Sequence, residues 1–208
     1  MSDGAAPRYA WLGRAAIEAL LIVFAVVLGF LVNEWRENVA DRHAANTALE
    51  RIIEEMDANA GALRQVVGYH EEVAGRLGEA IARIERGEAP EEGVLFDVLP
   101  AIIDRGIQEP RLTSVAWDYA QARGDLDPVE YGLIADIALI YNAQAGGADS
   151  TWRSIADTFF GTVDSLESRP LIPRLRLMQF AFHELAAQER YLIGLYDRQI
   201  EDVREALE

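Results

Sequence analysis

The chain has no cysteine among its 208 residues, which excludes disulfides and thiolate chemistry and suits an oxidising compartment. Lysine is absent as well. All 19 basic residues are arginine, and with the abundant alanine this reads as the composition of a GC-rich bacterial genome, not as a functional signal. There are only three histidines, His43, His70 and His183. They form neither a His-Glu-x-x-His pair nor the Glu-x-x-His unit of a di-iron bundle. No serine nucleophile motif, phosphate-cradling glycine loop or dinucleotide fingerprint is present. The sequence therefore predicts no enzyme, no resident metal and no cofactor.

Basic charge is also scarce against acid, giving a formal net charge of −16. All but one unit of it lies beyond residue 35, because Arg8 and Arg14 nearly balance Asp3, Glu18 and Glu34. A domain so acidic is repelled by phosphates and anionic headgroups, which disfavours nucleic acid as a partner and flat docking on a membrane.

The long apolar run is plain. Ala15 to Val32 reads AAIEALLIVFAVVLGFLV, a stretch of about 27 Å as a helix against a hydrocarbon core of about 30 Å. Tyr9, Trp11 and Trp35 bracket it as an interface belt. Trp11 to Trp35 spans about 36 Å, the core plus part of each headgroup layer. The alternatives are weaker. A signal peptide would need a small-x-small cleavage site, which Phe30, Leu31, Val32 and Asn33 do not offer. A buried core helix would rarely be apolar on every face. The division expected is a short tail over 1–14, a transmembrane anchor over 15–35 and an acidic helical domain over 36–208, with the bilayer itself as one partner. Arginines near the two ends almost tie, and the short tail favours its being cytoplasmic, with the domain on the periplasmic side of a bacterial inner membrane.

The rest of the chain shows helix signals without strand-like alternation. A heptad-like stripe runs Leu49, Ile53, Met56, Ala60, Leu63, Val67, His70, Ala74, Leu77, Ile81 and Ile84. With no breaker between Asn33 and Arg42, the anchor is expected to continue into this segment as one rod to about Gly87. Gly61, Gly68, Gly75 and Gly78 weaken the rod or mark close packing against a partner helix. After Pro170 and Pro173 a second stripe runs Leu175, Met178, Phe182, Leu185, Leu192, Tyr196, Ile200, Val203 and Leu207. The fold class expected is all-α, with the N-terminal transmembrane helix continuing into a long-helix bundle on an antiparallel, coiled-coil-like spine. Shorter helices fill the interval. Pro90, Glu91 and Glu92 mark one start. Asp127, Pro128 and Glu130 mark another, leading into a helix that buries Leu133, Ile137, Ile140 and Tyr141 and closes at Gly146 and Gly147. Trp152, Ile155, Phe159, Val163 and Leu166 stand at core spacing in the last. Pro100 divides an apolar run between Gly93 and Ile107.

Several residues carry a functional reading beside a bland one. Glu18 is the single ionisable group inside the span; pairing with Arg14 one turn earlier accounts for it structurally, and a polar contact to another membrane helix accounts for it functionally. Ala25 and Gly29 form a small-xxx-small pair able to seat such a helix, and Trp35 completes this expected contact face. His70 and His183 lie on facing spine helices, where a satisfied seam histidine is commoner than a shared metal. Glu54, Glu55 and Asp57, and likewise Glu201, Asp202 and Glu205, read as solvated helix faces. Trp117, Tyr119 and Arg123, with Asp118, line a possible pocket or place their aromatics in the core.

The stretch IEALLIVFAVVLGFLVNEWRE, from Glu18 to the Asn33, Glu34, Trp35 ending, resembles the start of an uncharacterised bacterial family of single-pass membrane proteins. The stretch LTSVAWDYAQARGDLDPVEYGLIADIALIY is similar to that family's middle block, with Gly124, Asp125, Leu126 and Tyr141 at the matching positions. The two cover about a quarter of the chain. The resemblance implies an anchored helical domain and carries no activity. Two functions are compatible: a non-catalytic accessory or scaffold subunit that docks on a membrane complex or on a second copy of itself, and a ligand-sensing periplasmic bundle. The sensor would need a separate signalling partner, since the tail of about 14 residues is too short for an output module.

Overall fold

The computed structural model describes residues 10–90, 95–160 and 171–208, and within them every regular element is helical. α1 (Ala10–Glu85) is one helix of 76 residues, about 114 Å long at 1.5 Å per residue. α2 (Leu95–Ile102), α3 (Val115–Arg123), α4 (Tyr131–Gly146) and α5 (Ala148–Phe160) follow, and α6 (Leu171–Leu207) closes the chain. The long helix that runs from the apolar segment into the bundle is as the sequence predicts, and α6 packs along α1 as the second half of the spine.

Three ion pairs define how the spine is aligned. Glu85 pairs with Arg176, Glu71 with Arg190, and Arg64 with Asp197. The pairs are two heptads apart and then one heptad apart on both helices, climbing α6 while descending α1, so the helices are antiparallel and α6 ends towards the anchor. Exposed pairs of this kind contribute at most about 1 kcal/mol each. They fix alignment, while burial supplies the stability.

The core is divided in two along the spine. The cluster nearer the anchor joins Ile52, Met56 and Leu63 of α1 to α3, α4 and the Leu192–Val203 part of α6. The distal cluster joins Val73, Leu77 and Ile81 to α2, α5 and the Leu171–Leu185 part of α6. The α6 stripe is buried as expected apart from Leu207, which is only partly so. The α1 stripe shifts by one residue in places: Ile52 and Val66 are buried, whereas Ile53 and Val67 are half-buried. The shift follows from a helix flanked by several neighbours, which widens the buried arc beyond a two-position seam.

Other boundaries differ from the sequence reading. Asp127 does not cap α4; Glu130 does, accepting from Leu133 N at 3.0 Å, and Leu133 is only half-buried. Pro100 sits inside α2 and does not end it. Gly124 closes α3 in the left-handed region (φ 72°), where a side chain would be strained. Of Gly61, Gly68, Gly75 and Gly78, only Gly78 is packed closely, with Gln179 where a Cβ would stand; the other three face open space. The expectations for Tyr9, Glu91, Glu92, Val163, Leu166 and Pro170, and for the side chains of Trp11, Arg14 and Phe159, lie outside the described residues.

Leu63→Ala and Leu185→Ala, both at fully buried sites, should each lower the unfolding free energy by about 2–5 kcal/mol. Gly61→Ala should raise it by up to about 1 kcal/mol. Urea titration in detergent, followed by circular dichroism, measures all three.

Candidate functional site

Every residue from Ala15 to His43 is exposed, and this helix is long and apolar enough to cross a membrane. Ala25 and Gly29 are bare on it, and nothing lies within 4 Å of a Cβ built at Gly29. Glu18 is exposed on the same helix, and Trp35 is 66 % exposed. Just beyond, Asn33 Nδ2 donates to Glu37 at 2.9 Å, one turn along a free stalk. Burial begins at Ala45, about 15 Å past Trp35 along the axis.

The first folded layer above the stalk holds an open cleft of about 880 Å3 between α1 and α3. Ala44, Ala48, Ala116 and Ala120 form its floor, with Arg51, Glu54, Tyr119 and Arg123 around it. Tyr119 and Arg123 line this cleft. Trp117 does not. It is buried and stacked on Tyr141, ring centroids 5.6 Å apart and 7° from parallel, because it points to the opposite side of α3. Arg123 is turned back on its own helix end, donating to Tyr119 Oη at 3.3 Å and to Asp125 at 3.1 Å.

Glu55 is the residue that attaches α3 to α1. The sequence reading placed it on a solvated acidic face; the structure turns it inward. Ser114, preceding α3, makes no capping bond with its side chain. The Glu55 carboxylate takes that role from the neighbouring helix, accepting from Ala116 N at 3.0 Å, Thr113 Oγ1 at 2.7 Å, Tyr141 Oη at 2.8 Å and Trp117 N at 3.4 Å. Burial pushes its carboxyl up, but these four donors outweigh it and hold the group below its ordinary value. Tyr141 is pushed far up, by burial and then by this carboxylate, and stays a neutral donor.

One turn on, Asn59 clamps the loop before α3. Its Nδ2 donates to Thr113 O at 2.8 Å and its Oδ1 accepts from Thr113 N at 2.9 Å. Tyr196 Oη donates to Gln144 beside it. Asn59 stands beside Ala60, which keeps the apolar stripe unbroken, so the sequence carried no signal for its burial.

The second polar layer lies where the two apolar clusters meet. His70 and Glu189 are both fully buried, with Nδ1 2.9 Å from each carboxylate oxygen. Nε2 stands 2.9 Å from Gln108 O. Since a carbonyl only accepts, Nε2 carries a hydrogen. The Nδ1 contact is then met either by an imidazolium donating to a carboxylate or by a protonated carboxyl donating to a neutral ring. Both forms hold the same protons and no net charge. Burial pushes Glu189 up, and the bond from His70 pulls it back only in part. Trp152 stacks near the ring at 6.1 Å and Phe182 stands at 5.8 Å. His70 is thus a satisfied seam histidine. His183 is exposed on α6 and does not meet it. Glu189 was missed by sequence reasoning, although it occupies the seam step between Leu185 and Leu192. Among the described residues no group of three or more acids and histidines is placed to hold a metal ion.

No family model, curated protein or solved structure matches the chain.

Two outcomes are expected. Because the Glu55 carboxyl is held below 4.5 in the folded state, its contribution is complete above that value and is lost as the pH falls through the lower native one. Glu189, raised, acts in the opposite sense. Glu55→Gln should therefore flatten the fall in urea midpoint between neutral pH and the acid side of 4.5. Glu189→Leu, which strips one partner from a dry pair, should cost about 3 kcal/mol. Adding His70→Leu should cost less than the two single losses together, as a double-mutant cycle in urea would read.

Proposed function

We propose that this chain is a non-catalytic, single-pass accessory or scaffold subunit whose helical domain docks with a membrane protein complex. The supporting observation is the bare apolar helix that continues without a break into the domain's spine. A tether needs only to span. This one also presents Glu18, Ala25, Gly29 and Trp35 on a single helix with no neighbour of its own, and small-xxx-small faces let another helix approach closely. Because α1 is one helix, whatever grips the anchor also orients the bundle.

The proposal includes a bacterial inner membrane, a cytoplasmic N-terminus and a periplasmic domain. The acidic surface and the absence of cysteine fit that placement. It also includes kinship with the family of single-pass proteins that the anchor and the Gly124–Tyr141 block resemble.

The tagged full-length chain, extracted in mild detergent, should co-purify with a membrane protein in fixed ratio. Gly29→Leu should reduce that yield by about tenfold, a loss of about 1.4 kcal/mol in association. A monodisperse monomer with nothing bound would contradict the reading.

A further inference from the structure

The geometry points to the α1–α3 cleft as the seat of a helix from that same membrane partner, a helix that leaves the bilayer beside the anchor and rises along α1. This rests on the accessory-subunit reading and adds where, and by what chemistry, the partner is held outside the membrane.

Four observations converge on it. First, phase is carried along an unbroken helix. At about 100° per residue, Glu18, Ala25, Gly29, Thr47, Arg51 and Glu54 fall within an arc of about 80°, and Ala44, Glu55 and Ala48 of the same cleft wall widen it to about 140° towards the core side. Ile52 and Met56, which enter the core, lie on the opposite side. The face formed by Glu18, Ala25 and Gly29 and the α1 wall of the cleft therefore adjoin along one side of the helix, while Trp35 lies about 120° from Gly29 and is off that side. Second, the floor is made of alanines from both walls, so a third helix can approach both backbones. Third, the charges on the rim are unpaired. Arg51 and Glu54 are exposed, one turn apart, with no ion pair among the described residues, and Val115 is 71 % exposed beside them. Fourth, the height matches. Thr47 lies about 27 Å beyond the level of Gly29, within reach of any membrane helix that continues for a few turns.

These features specify the occupant. Its side chains against the floor are small or apolar, with one apolar group on Val115 and Tyr119. It carries an acid at the height of Arg51 and a base at the height of Glu54. A second copy of this chain is the poorer fit: parallel anchors would set Glu18 against Glu18, and two domains that share a charge of −16 per chain would stand side by side.

The chain's lack of cysteine is no constraint on the test, which uses a photo-crosslinking amino acid in the full-length protein in its native membrane. It is placed at Ile22 (on the anchor track), at Thr47 (in the cleft) or at Asn38 (on the far side of the stalk). Ile22 and Thr47 should trap the same species, and Asn38 should not. Ala44→Trp, which fills the cleft, should cut the Thr47 adduct by about tenfold with the Ile22 adduct and the melting temperature unchanged. Arg51→Glu, at an exposed site, should weaken the Thr47 adduct in the same direction. An adduct at Ile22 alone, or a Thr47 adduct indifferent to both substitutions, overturns the cleft assignment and leaves the accessory reading standing. No adduct at either position overturns both. An adduct of twice the chain's mass assigns the cleft to a second copy and overturns this occupant.

Discussion

The unbroken backbone ladder of α1 is the constraint on which everything else rests. Short helical stretches without tertiary packing are marginal in water. The stalk over residues 36–43 has no packing of its own, and its hydrogen-bond ladder continues into the apolar segment on one side and into the bundle on the other. That continuity turns rotation and tilt of the apolar segment into rotation and tilt of the domain. A flexible linker at the same place would have decoupled them.

Within the bundle, apolar burial supplies the stability and two polar layers supply the alignment. A heptad slip of α6 would set Glu189 against Leu63 or Leu77 and leave its carboxyl group without a partner in a dry seam, at a cost of several kcal/mol. The His70–Glu189 pair thus rejects the neighbouring registers that a stripe of leucines would tolerate. The Glu55 and Asn59 contacts do the corresponding work for α3, fixing a short helix with little intrinsic stability against the spine. They also place the Ala116 and Ala120 wall opposite Ala44 and Ala48, so the cleft exists because an acid on α1 caps a helix that its own serine does not.

The parts of this architecture that depend on periodicity were legible in the sequence. The apolar N-terminal helix, the rod, the α6 stripe and the antiparallel spine all follow from apolar spacing sustained over many turns, where single exceptions average out. The polar layers were not legible, because their meaning lies in pairs distant along the chain. Glu55 looks the same as Glu54 until α3 is placed beside it, and Glu189 sits among charged residues that are exposed. Trp117 and Tyr119 illustrate the same limit on a short helix: two residues apart, one is core and the other lines the cleft, and nine residues are too few for the pattern to say which.

The central claim is mechanical continuity between membrane and bundle. Spin labels on cysteines introduced at Leu28 and Gly61, both on α1 and free of packing, report on it directly by pulsed electron paramagnetic resonance in lipid nanodiscs. One straight helix predicts a narrow distribution centred near about 50 Å. A broad distribution, or a centre shorter by a third or more, would mean that the helix breaks at the stalk and would contradict the account.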